Sequence, residues 1–503
     1  MLQLQDLTIK HQKDLRTLIQ NLNIVVNTGD KLAIIGEEGT GKSTLLQFLH
    51  QPDATSTYFS CKGNMTNHFK HVAYLPQHLP KAIKGMTVND FLYQEADDHL
   101  MDLNLLYRLA TDLELDLATF EAKHQLLASL SGGEKLKLQL IKLLSYEPDL
   151  ILLDEPSNDL DLDTLRWLER FISQSQQTII FISHDEQFLE ATATAILHLE
   201  LVKKRREAKA TYQKMDYASY KIWRKNTFEK QLQIAHKERD EYAKKSAKNK
   251  RIQQRAQHQL RTTKNSAIGR ILAKKMHALK GQERRFDRER ENFTDIPDSD
   301  DFINLFFSHI TPLPHRKLIL NWEGRHLSTG QTVNLQVFGQ DKLVITGKNG
   351  IGKTLLLKAI LADLTARADV RLGYMPQDYE DSLDGQLSAL AFLSQKTSEE
   401  KARTLLASLK FTREEVTHPL LDLSGGQKAK LFFAKMVLER ANVLILDEPT
   451  RNFSPTSQPE IRKLLINFPG AIISVSHDRN FIDDVVNRKL QLTEDSLNEL
   501  SNI

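Results

Sequence analysis

Two stretches of the 503-residue chain carry the residue types that grip a chain of phosphates: Gly36-Glu-Glu-Gly-Thr-Gly-Lys-Ser43 and Gly347-Lys-Asn-Gly-Ile-Gly-Lys-Thr354. In each, glycines (Gly36, Gly39 and Gly41; Gly347, Gly350 and Gly352) let successive backbone N–H groups converge on one anion. Lys42 or Lys353 then reaches the outer phosphate oxygens, and the hydroxyl of Ser43 or Thr354, with Thr44 beside the first, suits a hard divalent cation. An apolar strand ends at Gly36 and an apolar-faced helix runs on to Leu49, which is the strand, loop and helix context that phosphate binding at a helix N-terminus requires.

Further motifs supply carboxylates, amides and imidazoles. Leu150-Ile-Leu-Leu and Val443-Leu-Ile-Leu read as strands buried on both faces of a parallel sheet. Asp154 and Asp447 at their ends are placed to hold a metal shell. Glu155 and Glu448, one residue on, are placed to orient and deprotonate an attacking water, although an acid after a strand can also cap a helix. Gln77 and Gln377 follow Tyr-x-Pro and can reach metal or water; His184 and His477 follow a second apolar strand and can contact a terminal phosphate. Leu-Ser-Gly-Gly, with Ser131, Gly132 and Gly133 or Ser424, Gly425 and Gly426, opens a helix and offers N–H groups to a second anion. Each half of the chain therefore has one anion site more than it needs, unless the other half's ligand uses it.

The elements behind these residues come in duplicate. Five motifs recur in one order, and Ser131/Ser424, Asp154/Asp447 and His184/His477 share an offset of 293, so the second part of each copy follows one plan. Offsets of 311 at Lys42/Lys353 and 300 at Gln77/Gln377 make the first copy 18 residues longer ahead of Leu-Ser-Gly-Gly, which predicts a larger loop region there. The expected division is a first domain over 1–202, a basic linker over 203–297 and a second domain over 298–503, with the acidic, proline-containing stretch Asp295 to Asp301 marking a boundary.

Composition narrows the classes. With 40% hydrophobic and 26% charged residues, 21 Gly and 14 Pro, collagen-like, mucin-like and wholly disordered chains are excluded. The single cysteine, Cys61, allows no internal disulfide and no Cys-x-x-Cys metal or redox pair. The N-terminal residues lack a signal-peptide pattern and no run of about 18 apolar residues occurs, so a cytoplasmic protein without a membrane span is expected.

The net charge of +3 hides a strong asymmetry. Residues 203–293 hold 28 Lys+Arg against 10 Asp+Glu, and 242–282 hold 12 basic residues and no acid. The segment has no proline and only two glycines, a helix-favouring composition. Apolar stripes through Tyr217, Tyr220, Phe228, Leu232 and Ala235, then through Ile271, Leu272, Met276 and Leu279, predict a helical hairpin. Its first helix is expected over about 212–258, roughly 70 Å long at 1.5 Å per residue, with a turn between Thr262 and Gly269. Positive charge concentrated at the tip suits insertion into folded RNA; Lys264, Asn265, Arg270, Lys274 and Lys275 are the candidate RNA-binding residues. A charged coiled coil that only spaces two domains is the alternative.

Taken with the repeat, the motif set resembles the ATP-binding cassette family, whose domains pair head to tail around two ATP molecules. The resemblance implies an α/β fold of two P-loop cassettes joined by a long basic helical hairpin, with ATP and Mg2+ as ligands. It implies that Lys42, Ser43, Gln77, Asp154, Glu155 and His184 face Ser424, Gly425 and Gly426 across one ATP. Lys353, Thr354, Gln377, Asp447, Glu448 and His477 face Ser131, Gly132 and Gly133 across the other. The family usually carries an aromatic under the adenine ahead of the P-loop; His11 and Trp322 are the candidates here.

Within that family, two cassettes with a basic linker and no membrane segment look like the ABC-F translation factors. Asp447-Glu-Pro-Thr-Arg-Asn-Phe-Ser-Pro455 resembles antibiotic-resistance members, as does the near absence of an arm between Gln77 and Ser131. The resemblance implies an ATPase that closes on ATP and binds the bacterial ribosome at its exit site. The linker tip would then reach large-subunit rRNA and peptidyl-site tRNA, countering lincosamide, pleuromutilin or streptogramin A drugs. It implies a monomer with intramolecular cassette pairing and no obligate protein subunit. A housekeeping ABC-F factor and, more distantly, the motor of a membrane transporter are the rival readings.

Overall fold

The computed structural model describes residues 1–12, 16–55, 59–77, 83, 85–93, 101–157, 160, 162–202, 207–262, 266–296, 307, 310–379 and 382–500. These form two compact units: Met1–Tyr217 with Asp300–Ile503, and Ala218–Ser299.

The larger unit contains the two copies of one α/β plan. In the first, a six-stranded sheet runs in the order Val72–Leu75, Leu150–Asp154, Thr178–Ile182, Lys31–Gly36, Ala195–Val202 and Glu207–Gln213, its first five strands parallel and the last antiparallel. The second copy repeats that order with Leu372–Met375, Val443–Asp447, Ala471–Val475, Lys342–Thr346, Arg488–Leu492 and Leu497–Leu500. The strands ending in Asp154 and Asp447 are buried along their whole length, as continuous apolar runs in a doubly covered parallel sheet should be. Neighbouring strands therefore bring the P-loops, Asp-Glu pairs and histidines to one edge of each sheet, the carboxyl end where ligands bind in open α/β folds.

An antiparallel sheet flanks each core: three strands in the first copy (Thr17–Val26, Leu2–His11 and Phe59–Asn67) and two in the second (Leu318–His326 and Thr332–Phe338). The extra strand Phe59–Asn67, which has no counterpart in the second copy among the described residues, takes up most of the added length between Lys42 and Gln77. Spacing alone predicts a loop for that segment; its alternation of half-buried Phe59, Cys61 and Met65 with exposed neighbours gives it the period of a strand.

The composition-based division differs from the compact units at both ends of the linker. Glu207–Gln213, assigned by charge to the linker, pairs antiparallel with Ala195–Val202 and completes the first copy's sheet. Its one acid and one base, Glu207 and Lys209, are its exposed positions, as charges on an edge strand should be, and the remaining positions are half-buried.

In the smaller unit, one helix spans Tyr217–Thr262 and a second Ser266–Glu291. The first thus starts after the edge strand, about five residues later than expected, and 263–265 at the turn lie outside the described residues. A zipper of polar contacts ties the two helices: Tyr242 Oη donates to Asp287 at 3.0 Å, Asn249 Nδ2 to the Leu279 carbonyl at 3.1 Å, and Gln253 Nε2 to Glu283 at 3.1 Å. At the base, Glu238 accepts from the Thr294 backbone N–H at 2.7 Å. Ala235, Ala256, Leu272 and Leu279 are buried, while Ile268 and Ile271 stay 48% and 69% exposed.

Candidate functional site

Each P-loop closes on a left-handed glycine ahead of its helix, and the first glycine of each allows close backbone passage. Gly36 has φ 147° and a Cβ there would lie 2.2 Å from the Leu199 carbonyl; at Gly347, φ is 145° and the clash is with Leu492 O at 2.6 Å. Only glycine fits. Lys42 is buried with Nζ donating to the Gly36 and Glu37 carbonyls at 2.8 and 3.0 Å, and Lys353 does the same toward Gly347 and Lys348 at 2.8 and 3.0 Å. Burial lowers the Lys42 pKa, against the raising influence of Glu155, Glu38, Asp154 and Glu37. The loops are thus folded around their lysines, with Thr44 half-buried in the first helical turn.

The acids sit beside the hydroxyls. Ser43 Oγ donates to Asp154 at 3.1 Å and Thr354 Oγ1 to Asp447 at 2.8 Å. Burial pushes the Asp154 carboxyl up to about 6 and raises that of Asp447. Asp447 Oδ1 is buried with no hydrogen-bond partner. An orphaned carboxylate oxygen next to a threonine hydroxyl fits a Mg2+ ion, which takes few protein ligands and completes its shell with phosphate and water oxygens.

Glu155 and Glu448 share an unusual backbone, with φ of 52° and 53°. Non-glycine residues hold the left-handed region only where the surroundings enforce it, and such strain gathers at functional sites. Here the enforcing contacts are backbone hydrogen bonds to the adjacent strand, from Glu155 N to Ile182 O at 3.1 Å and from Glu448 N to Val475 O at 2.9 Å. Gln77 Nε2 donates to Glu155 at 3.0 Å, and His184 Nε2 lies 3.4 Å from the same carboxylate. In the second copy His477 N donates to Glu448 at 3.3 Å and its Nε2 lies 3.8 Å away. Burial, with Asp447 adding to it, pushes the Glu448 carboxyl up to about 7, where it titrates near neutrality.

The Leu-Ser-Gly-Gly motifs open the helices Gly132–Leu144 and Gly425–Leu438. Ser131 with Glu134, and Ser424 with Gln427, form reciprocal capping boxes that satisfy the N-cap N–H and the N–H three residues on. The N–H groups of the two glycines between them are left for another partner.

A cavity of about 620 Å3 joins the halves, of a size suited to a small-molecule ligand. Its walls bring Ser131, Gly132 and Gly133 of the first copy against Gly350, Gly352, Lys353, Thr354, Gln377, Asp447, Glu448 and His477 of the second. On the reciprocal side, Glu37 and Glu38 of the first P-loop meet Ser424 and Gly426, and Gly425 N donates to the Glu38 carboxylate at 2.5 Å.

Sequence reasoning missed the residues that clasp the halves. His184 Nδ1 lies 3.0 Å from the Phe453 carbonyl, and Gln458 Nε2 donates to the His184 carbonyl at 2.8 Å. Arg462 pairs with Glu186 at 2.6 Å, both buried, and Asn480 donates to the same carboxylate at 3.0 Å. The available signal was the departure of Phe453-Ser-Pro from Leu160-Asp161 at the matching place in the first copy. Of the two adenine candidates, Trp322 is buried with Nε1 donating to Asp363 at 2.8 Å, which turns it into the core, while His11 is half-buried with its ring 5.5 Å from that of Phe59. Lys264 and Asn265 lie outside the described residues, whereas Arg270, Lys274 and Lys275 are exposed on the second hairpin helix.

Two P-loops, two buried Asp-Glu pairs and two capped glycine helices facing them in trans define a tandem ATP-binding cassette protein. The model for the family described as ABC transporter matches residues 19–158 and 330–451, and the chain belongs to that family. It is an Mg2+-dependent ATPase with ATP as substrate. Similar proteins of ABC-F type include YdiF of Bacillus subtilis, an ATP-binding protein by name, 28% identical over 96% of this chain and 79% of its own length. The ATP-binding protein Uup of Buchnera aphidicola is 28% identical over 94% and 77%, and the ribosome protection protein VmlR of Bacillus subtilis 29% over 97% and 86%. Among solved structures, an archaeal ribosome recycling factor, aABCE1, crystallised with a ribosomal stalk protein, has a TM-score of 0.59 at 16% identity, covering 98% of this chain and 89% of its own. A structure described as RNase-L Inhibitor gives 0.58 at 16%, covering 98% and 90%. Both share the fold. Among the described residues no helix is long and apolar enough to cross a membrane.

Proposed function

We propose that this ATPase works on the bacterial ribosome, docking at the exit site, and that its hairpin tip protects the peptidyl transferase centre from lincosamide, pleuromutilin and streptogramin A drugs. The observation that carries this reading is the hairpin: a pair of long helices with an acid-free basic end that leaves Ile268 and Ile271 exposed among Arg270, Lys274 and Lys275. Basic side chains suit rRNA phosphates, and exposed isoleucines suit the faces of unstacked bases or a drug-lined pocket. Similarity to a protein named for ribosome protection supports it. Similarity at the same level to proteins named only as ATP-binding favours a second reading, a housekeeping translation factor of the same build.

In the proposed cycle each ATP lies between one P-loop and the other cassette's Ser-Gly-Gly helix. Lys42 or Lys353 leaves its carbonyl partners for the phosphate oxygens, and the N–H groups of the Ser-Gly-Gly glycines take the γ-phosphate. Ser43 with Asp154, and Thr354 with Asp447, hold the Mg2+, which when bound neutralises charge on the β and γ oxygens. Glu155, steadied by Gln77 and His184, and Glu448, steadied by His477, orient the attacking water and accept its proton. Binding closes the cassettes in the cytoplasm on the ribosome; hydrolysis lets go.

The test uses the Glu155→Gln, Glu448→Gln protein with bacterial ribosomes pelleted through a sucrose cushion, with and without ATP. ATP-dependent co-sedimentation is expected, together with drug tolerance in a susceptible bacterium expressing the wild type. Binding without tolerance would select the housekeeping reading, and no binding would overturn both.

A further inference from the structure

Aligned on each other, the two P-loops differ in charge where it matters most. Glu37 and Glu38 in the first stand where Lys348 and Asn349 stand in the second. The half-buried Glu38 accepts, through its carboxylate, the N–H of Gly425, the first residue of the 14-residue helix Gly425–Leu438. Both of its oxygens approach so closely that a Cβ on Gly425 would lie 2.9 and 3.0 Å from them. The gap lined by Glu37, Glu38, Ser424, Gly426 and Asn452 is about 10 Å3, no more than one water's worth. On the other side, where Asn349 lines the cavity of about 620 Å3, the first copy's glycine helix faces open space.

We propose that Glu38 competes with the γ-phosphate of ATP for the Gly425 end of that helix, so that the two ATP sites are unequal and the one built on Lys42 is the weaker. The carboxylate is a built-in anion: it already satisfies an N–H group and already lies against the partial positive end of a helix. A γ-phosphate arriving there must turn it out, and having done so remains beside a like charge. No such charge guards Lys353, whose loop carries an amide and a lysine. The inference rests on the site assignment proposed above.

Equilibrium dialysis of labelled ATP with Mg2+ against the full chain carrying Glu155→Gln and Glu448→Gln reads this directly. Two classes of site are expected, differing by at least about tenfold, a difference that one displaced charge-assisted hydrogen bond can supply. Adding Lys42→Ala should remove the weaker class. Adding Glu38→Asn should tighten the weaker class about tenfold or more and leave the tighter one within about twofold. Glu38→Gln, which keeps the shape, should give an intermediate gain, and Glu37→Gln, which removes the same charge one residue earlier, a smaller one. Two equal sites in the parent, or a weak class indifferent to Glu38→Asn and Glu38→Gln, would overturn the competition while leaving the ATP sites standing. A Glu37→Gln gain as large as that of Glu38→Gln would reduce the effect to charge alone and overturn it too. Absence of saturable binding would sink the competition together with the site assignment.

Discussion

At the scale of single residues, the two candidate bases share one backbone geometry, and burial tunes Glu448. Their matched left-handed φ aims each carboxylate past its strand end toward the histidine of the neighbouring strand. Replacing both Glu155 and Glu448 by Gln keeps that geometry and removes the proton acceptor, so turnover should fall at least about 100-fold while ATP binding persists; near-normal turnover would remove both from the role. Glu448 also predicts a pH dependence of stability. Its carboxyl, at about 7 in the folded protein against an ordinary 4.5, holds more protons folded than unfolded between those values. Stability is therefore lost as pH rises through that window, and the full cost of a buried charge is present above it. Glu448→Gln, measured without nucleotide or Mg2+, should be more stable than wild type at pH 8 by up to about 3 kcal/mol and no different near pH 4.5. An equal difference at both pH values would show that burial is not the cause.

Elements carry what single residues cannot, namely the clasp between the copies. Helix Glu186–Thr192 of the first copy meets Gln458–Ile466 and Arg479–Val485 of the second through Glu186, Arg462 and Asn480, and Arg479 reaches Glu169 and Asp185. Arg462→Ala would leave the Glu186 carboxylate, which is 3% exposed, with the Asn480 amide and no cation, and a broken buried pair costs about 3–5 kcal/mol. Thermal unfolding should show a clear drop, largely recovered when Glu186→Gln is added, because the uncharged amide is easier to bury. Failure of that rescue would place the cost in the packing of the arginine stem. Legibility in the sequence divides along the same line. Strands and P-loop helices were readable because apolar runs and glycine spacing act locally. The clasp was not, since Gln458 and Arg462 lie 274 and 276 residues from their partners His184 and Glu186. The late start of the hairpin was also hidden: Glu207–Gln213 directly follows the basic run Lys203-Lys-Arg-Arg206 in the sequence, and only pairing with Ala195–Val202 makes it a strand. Trp322 misled for a related reason, since an aromatic near a P-loop reads alike whether it lines the ligand or the core.

For the whole molecule, charge segregation governs what it can approach. The chain is almost neutral, yet 203–293 carries a surplus of 18 positive charges and the remainder a deficit of 15. An acidic body would be repelled by RNA, so any attraction must enter through the hairpin, and it must weaken as added salt opposes the release of counterions from the phosphates. Changing Arg270, Lys274 and Lys275 together to Gln should leave the fold intact, because all three are exposed on helix Ser266–Glu291. In the hydrolysis-blocked protein those changes should weaken ATP-dependent ribosome binding and shallow its log–log salt slope by about 0.7–0.9 for each phosphate no longer neutralised. A lowered affinity with an unchanged slope would mean the three side chains act through shape, and an unchanged affinity would move the RNA-binding surface elsewhere on the hairpin. Ile268→Ser and Ile271→Ser supply the complementary measurement: side chains that touch no phosphate should leave the slope alone, and their effect should appear in drug tolerance if the apolar tip is what meets the peptidyl transferase centre.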